Sequence, residues 1–102
     1  MASAYQVITK DGRVLQPATP IHPGVILGDE LEAREVGKSA FAMDNRIYPS
    51  HLTDILKGRR NISATIALKL EKALGIEADF WMRLQMDYDL LLERRKMELV
   101  EA

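Results

Sequence analysis

Basic side chains are concentrated in the middle of this chain, where their density suits binding to a polyanion. Residues 36–74 carry seven lysines and arginines against three acids, although the net charge of the whole 102-residue chain is −1. Residues 21–35 and 75–102 come to −3 each. Cationic side chains neutralise phosphates and hold a protein on nucleic acid without reading its sequence. We therefore predict one surface for a polyanion and other surfaces for different partners. The helix-turn-helix pattern described below identifies that polyanion as double-stranded DNA.

The densest basic run, residues 57–61, is predicted to be a loop that follows a short helix. Its cations, together with neutral hydrogen-bonding groups nearby, would contact phosphates along the DNA backbone. The predicted phosphate contacts are Lys38, Tyr48, Lys57, Arg59, Arg60, Asn61 and Ser63. For Tyr48, a second interpretation is a cap over the adjoining turn.

The segment from Val36 to Leu56 has the pattern of two short helices joined by a tight turn. Gly37 suits the start of the first helix, Asn45 tolerates the left-handed backbone that ends it, and Pro49 suits the first position of the second. In such a helix-turn-helix, the N-terminal half of the second helix reads base edges in the major groove. The predicted base contacts are Ser50, His51, Thr53 and Asp54. For His51 and Asp54, ordinary solvated surface is the alternative.

Apolar spacing predicts an all-α fold in which five helices position these groups. The helices are expected near residues 23–35, 38–44, 49–57, 63–74 and 78–95, with Gly37, Gly58 and Gly75 ending the first, third and fourth. Residues 21–102 are predicted to form the helix-turn-helix domain with its C-terminal helix. Residues 1–20 contain two β-prone runs around Asp11-Gly12, so a small hairpin and a frayed tail are both open.

The last predicted helix has two apolar faces. One face contains Phe80, Trp81, Leu84, Tyr88, Leu91 and Leu92. The nearly opposite face contains Met82, Met86, Leu90 and Met97. A helix on a small domain needs only one apolar face, so the second predicts a dimer or partner contact. The alternative is a helix that the fold wraps more deeply.

Several classes of protein are disfavoured by the composition. The chain has no cysteine, and its two histidines lack the spacing of a zinc site, so no disulfide, metal or cofactor is expected. A phosphate-binding glycine loop and a nucleophile motif are both missing, which predicts that the protein is not an enzyme. Since no apolar run approaches about 18 residues, we expect a soluble, cytoplasmic protein.

Three stretches of sequence make the chain resemble the HigA family of antitoxins over about residues 16–92. Ile21-His22-Pro23-Gly24, followed by Ile26-Leu27 and Asp29-Glu30-Leu31, is similar to the opening of that family. Pro49-Ser50 through Gly58-Arg59-Arg60, and then Phe80-Trp81 and Leu84-Gln85, are similar to its recognition helix and C-terminal part. The chain departs from the family pattern at four residues. They are Val25 instead of glutamate, Asn45-Arg46 instead of Leu-Gly, and Tyr48 instead of serine or threonine.

The resemblance implies a Cro- or lambda-repressor-like domain with two activities. Members bind a small basic HigB toxin, an mRNA-cutting RNase, and repress their own operon by binding its operator, usually as homodimers. Three segments are candidates for the toxin-binding site: the N-terminal strands, the first helix and the last helix. The competing interpretations are a stand-alone transcriptional regulator without a toxin and a phage-type repressor.

Overall fold

Five α-helices make up the domain in the computed structural model, which describes residues 7–8, 14–15 and 20–101. The helices are α1 (Pro23–Ala33), α2 (Lys38–Asp44), α3 (Pro49–Leu56), α4 (Ala64–Leu74) and α5 (Ala78–Glu101). Two short strands, β1 (Val7–Ile8) and β2 (Val14–Leu15), pair antiparallel. The predicted all-α class is confirmed. The predicted Asp11-Gly12 turn lies outside the described residues, and the domain boundary near residue 20 stays a prediction.

The N-terminal ends of three helices have specific side-chain partners. His22 Nδ1 accepts a hydrogen bond from the Gly24 amide at 2.9 Å, and Pro23 is the first residue of α1. Ser63 Oγ accepts from the amide of Ile66 at 3.2 Å and caps α4, as its position predicted. The first amide of α5, at Ala78, instead donates to a carboxylate oxygen of Glu71 on α4 at 3.2 Å.

The end of α1 differs from the prediction, which placed it near residue 35 and made Gly37 responsible. The helix ends at Ala33, and Glu35 adopts the left-handed conformation with φ of 57°. The Val36 amide then donates to the Leu31 carbonyl at 2.9 Å, which closes a Schellman motif. Gly37 has an ordinary φ of −69° and is the N-cap of α2, which confirms its predicted place at the start of that helix.

The turn between α2 and α3 corrects a second prediction. Asn45, expected to be left-handed, has φ of −106°, whereas the following Arg46 has φ of 54°. Asn45 acts through its side chain, whose Nδ2 donates to the Phe41 carbonyl at 2.8 Å. The Ile47 amide donates to the Ala42 carbonyl at 2.9 Å, so this turn is also a Schellman motif. The predictions for Gly58 and Gly75 are confirmed, since both have left-handed φ angles.

The core lies where α3 packs on α1 and α2, and where α5 packs on α4 and α1. Its largest fully buried residues are Trp81, Leu27, Leu31, Leu52, Ile55, Leu70 and Pro23. The first predicted stripe of α5 is confirmed. Trp81, Leu84 and Leu91 are buried, while Phe80, Tyr88 and Leu92 are half-buried.

The second apolar stripe of α5 faces away from this core. Met82, Met86, Leu90 and Met97 remain 37% to 59% exposed. The alternative of a more deeply wrapped helix is therefore wrong. The helix also continues beyond the predicted end near residue 95 to Glu101. No helix in the described part of the chain combines the length and apolarity needed to cross a membrane.

Candidate nucleic-acid interface

The outer face of α3 is polar and accessible, while its inner face anchors the helix in the core. Ser50 and Thr53 are exposed, whereas Leu52 and Ile55 are buried against the neighbouring helices. His51 is half-buried because its ring meets the Tyr48 ring edge-on at 5.2 Å between centroids. Because its inner face is packed in the core, α3 holds its N-terminal polar side chains in one position at the surface.

The basic loop folds back over the C-terminal end of α3. Gly58, with φ of 74°, reverses the chain direction, and the amides of Arg59 and Arg60 both donate to the Asp54 carbonyl, at 2.8 and 3.2 Å. The Lys57, Arg59 and Arg60 side chains are exposed. Cations at a helix C-terminus are also favoured by the helix dipole. The three predicted phosphate anchors thus lie together at one end of α3.

Asp54 has a local partner that its sequence position did not reveal. Its carboxylate lies 3.9 Å from the guanidinium of Arg59, in a pair whose side chains are 36% and 66% exposed. Partly exposed pairs of this kind contribute at most about 1 kcal/mol. The carboxylate is therefore placed to orient Arg59, and a cytosine amine would have to compete with that contact.

A groove of about 350 Å³ joins the predicted groups on α3 to α4. Its polar lining consists of Arg46, Tyr48, His51, Arg60, Asn61, Ser63, Thr65 and Lys69. Arg46 and Lys69 were missed by the sequence analysis, and Lys69 Nζ donates to the Arg46 carbonyl at 2.8 Å. Because Arg46 and Lys69 are 23 residues apart, only the folded chain brings them together. Lys38, another predicted phosphate contact, lines a separate groove between α1 and α2.

A buried glutamine, also missed, attaches this loop to α5. Gln85 Oε1 accepts from the Ile62 amide at 2.8 Å, and Gln85 Nε2 donates to Asn61 Oδ1 at 3.2 Å and to Asp89 Oδ1 at 3.0 Å. A signal was available in the sequence. Gln85 lies four residues after Trp81, on the apolar stripe that faces the core, where a polar side chain needs partners.

His22 lies beneath the same loop. A Cβ at Gly58 would be 3.6 Å from the imidazole, and the ring meets the Tyr88 ring edge-on at 4.9 Å. Its buried Nε2 has no hydrogen-bond partner among the described residues. Burial lowers the pKa of His22 below its ordinary value of 6.5, and the Asp89 carboxylate and Arg60 carbonyl oppose this only in part. His22 is therefore a neutral structural group at neutral pH.

A second, mainly apolar groove of about 460 Å³ lies between α4 and α5. Its lining includes Ala64, Ala67, Leu68, Ala78, Met82 and Met86. Leu68 is exposed, and both methionines belong to the second stripe of α5. The groove therefore extends the predicted partner surface from α5 onto α4.

The fold and the exposed polar face of α3 define a Cro-like helix-turn-helix protein. A family model described as helix-turn-helix matches residues 45–81. Virulence-associated protein I of Dichelobacter nodosus is 33% identical over 82 residues, which cover 78% of this chain and 75% of that protein. An antidote protein of the HigA family from Coxiella burnetii has a similar structure, with a TM-score of 0.72 and 36% identity over 80% of this chain and 91% of its own.

The Pseudomonas aeruginosa antitoxin HigA, solved with its higBA promoter, gives a TM-score of 0.75 and 34% identity. The similarity covers 81% of this chain and 92% of the Pseudomonas chain. The chain belongs to the HigA family of antitoxins.

Proposed function

We propose that this protein is an antitoxin that binds the operator of its own operon and neutralises a HigB-type RNase toxin. The observation that carries the DNA-binding part is the arrangement of exposed Ser50 and Thr53 beside the basic groove between α3 and α4. The Pseudomonas aeruginosa HigA with a similar fold was solved with promoter DNA. This relationship supports the same kind of ligand here.

In the proposed complex, the N-terminal half of α3 enters the major groove and the loop contacts the flanking backbone. Ser50, His51, Thr53 and Asp54 face base edges. Lys57, Arg59, Arg60, Asn61 and Ser63 contact phosphates, and Tyr48 lies at the edge of the groove. We add Arg46 and Lys69 to the phosphate contacts because they line the same groove as Arg60.

The toxin-binding part of the proposal rests on family membership and on charge. Asp29 and Glu32 are exposed on α1, which suits a basic partner. The similar solved structures include antitoxins, so we propose no catalytic activity. A repressor acts on DNA inside the cell, and the proposed function therefore requires a cytoplasmic protein.

We further propose that the protein acts as a homodimer through α5. One recognition helix contacts only a few base pairs, and a two-fold dimer places two such helices about 34 Å apart on one face of DNA. The Met82, Met86, Leu90 and Met97 stripe, extended by the groove on α4, is the proposed contact surface.

The DNA-binding proposal is tested with the DNA upstream of this gene, by titration over a range of salt concentrations. Replacing Arg60 by alanine should weaken binding to all sequences similarly and reduce the salt slope by about one unit. Thr53→Ala should instead change the preference among sites, since base contacts discriminate by about 1 to 3 kcal/mol. Lys96→Ala is the control, because Lys96 is an exposed cation on α5 that pairs with Glu93. Equal slopes for Arg60→Ala and wild type would contradict the assigned DNA surface.

The toxin-binding proposal is tested by co-expressing this protein with any small basic protein that is encoded beside its gene. An antitoxin should restore growth that the neighbour inhibits and should co-purify with it. If the neighbour is harmless or does not bind, while operator binding persists, the stand-alone regulator becomes the better assignment.

A further inference from the structure

The basic loop is held at two points that belong to different helices. At its beginning, the Asp54 carbonyl of α3 accepts from the Arg59 and Arg60 amides. At its end, Gln85 of α5 bonds the Ile62 amide at 2.8 Å and the Asn61 side chain at 3.2 Å. The Arg59 and Arg60 side chains project from the first of these points, directly before the second.

The orientation of the Gln85 side-chain amide is fixed by Asp89, which lies one turn further along α5. The Asp89 carboxylate can only accept, so the Nε2 end of Gln85 must face it, and their separation is 3.0 Å. The Oε1 end is thereby directed at the buried Ile62 amide. A glutamine that is buried and bonded in this way holds one orientation, in contrast to a surface glutamine.

We propose that Gln85 is a positioning residue for DNA binding, which fixes the loop carrying Arg59 and Arg60 in its phosphate-binding conformation. This inference rests on the proposed function. Without Gln85 the loop would lose its hydrogen bonds at the Ile62 amide and the Asn61 side chain, although the Ile62 side chain stays in the core. Arg59 and Arg60 would then reach their phosphates less often and would lose more conformational entropy when they do. The same helix carries the Met82 and Met86 stripe on its outer face. α5 thus joins the proposed partner surface to the DNA-facing loop.

The test compares Gln85→Met, which keeps the side-chain length but removes the hydrogen bonds, with Leu74→Ala. Leu74 is a buried residue at the other end of α4, so its truncation lowers stability without touching the loop. We expect Gln85→Met to weaken operator binding about tenfold and to reduce the salt slope. Hydrogen exchange of the Ile62 amide should become faster than in Leu74→Ala. The control should keep the wild-type slope.

A second pair of variants exchanges the hydrogen-bond donor and acceptor between positions 85 and 89 and tests whether the restored bond restores DNA binding. Gln85→Glu alone places two carboxylates about 3 Å apart, where one of them disfavours the charge of the other. Adding Asp89→Asn supplies an amide that donates to the new carboxylate, which can still accept from the Ile62 amide. Asn61, whose Oδ1 now accepts from Gln85, would turn its amide so that Nδ2 donates to the same carboxylate. The double variant should therefore recover affinity and salt slope relative to Gln85→Glu.

Two results would overturn the positioning role. One is unchanged Ile62 exchange in Gln85→Met, and the other is fast exchange with wild-type affinity and salt slope. Failure of the wild-type protein to bind its upstream DNA would instead overturn the proposed function. The exchange measurement needs no DNA and separates the two cases.

Discussion

Gly24 determines how closely α1 approaches α3, because it has no side chain. A Cβ at this position would overlap the Ile55 carbonyl oxygen and lie 2.7 Å from the carbonyl carbon. The obstacle is backbone in the last turn of α3, which cannot move as the end of a side chain can. The recognition helix would therefore have to shift to accommodate any larger residue.

Alanine substitutions at Gly24 and Gly28 should have opposite effects on stability. Gly24→Ala should lower the free energy of unfolding by about 3 kcal/mol, because it overpacks the α1–α3 contact. Gly28→Ala should raise it by about 0.5 to 1 kcal/mol, since its Cβ would make an ordinary 3.7 Å contact with Leu56 and alanine favours the helix. Urea unfolding measures both. Similar midpoints for the two variants would show that the close approach at Gly24 is not required.

His22 should make the stability of the protein dependent on pH. Burial lowers the pKa of His22 below 6.5, so the unfolded chain takes up this proton at a higher pH than the folded protein does. The contribution of His22 to stability is therefore complete above pH 6.5 and is lost as the pH falls towards the folded pKa.

Replacing His22 by asparagine tests this linkage, because asparagine can still cap α1. We expect the urea midpoint of the wild type to fall between pH 7.5 and 5.5 by more than that of His22→Asn. If the two proteins lose stability in parallel over this interval, another group is responsible for the dependence.

At the scale of the elements, the ends of α1 and α2 are notable because non-glycine residues adopt the left-handed conformation there. Glu35 and Arg46 have φ angles of 57° and 54°, in a region that costs an L-residue about 1 to 2 kcal/mol. The residues after them bond back into the helices, and Ile47 is also buried. These contacts hold both turns in shape despite the local cost.

Glycine substitutions at Glu35 and Arg46 separate stability from DNA binding. Each should raise the thermal stability, by about 0.5 to 1 kcal/mol after the larger chain entropy of glycine is subtracted. Only Arg46→Gly should weaken operator binding and lower the salt slope, because Arg46 lines the basic groove. Calorimetry and DNA titration of both variants test this. Wild-type DNA affinity for Arg46→Gly would remove Arg46 from the proposed phosphate contacts.

For the whole molecule, the proposed dimer depends on the outer stripe of α5. Met86 and Leu90 are 53% and 42% exposed in one chain, and two-fold symmetry would set this surface against itself. A Met86→Glu, Leu90→Glu double variant introduces charges into that contact. Sedimentation should show a monomer that keeps the wild-type helix content. A dimer that survives both charges would leave the stripe to another partner, such as the toxin.

The sequence by itself determined the helices and the type of protein. Pro23, Pro49 and Ser63 mark helix starts, and Gly58 and Gly75 mark helix ends, because each acts on backbone within a few residues of itself. The amphipathic spacing and the basic loop are equally local. For this reason five helices, the helix-turn-helix and the two faces of α5 were predictable.

Tertiary structure alone decided the left-handed residues, the basic groove and the attachment of the loop. The residue types of Glu35 and Arg46 do not favour φ near 55°. The bonds of Val36 and Ile47 back into the preceding helices, together with the burial of Ile47, hold that conformation. Lys69 meets Arg46, and Gln85 meets Ile62, each across 23 residues of chain. Contacts at such separations depend on how the helices pack, and helical periodicity carries information only about each helix's own faces.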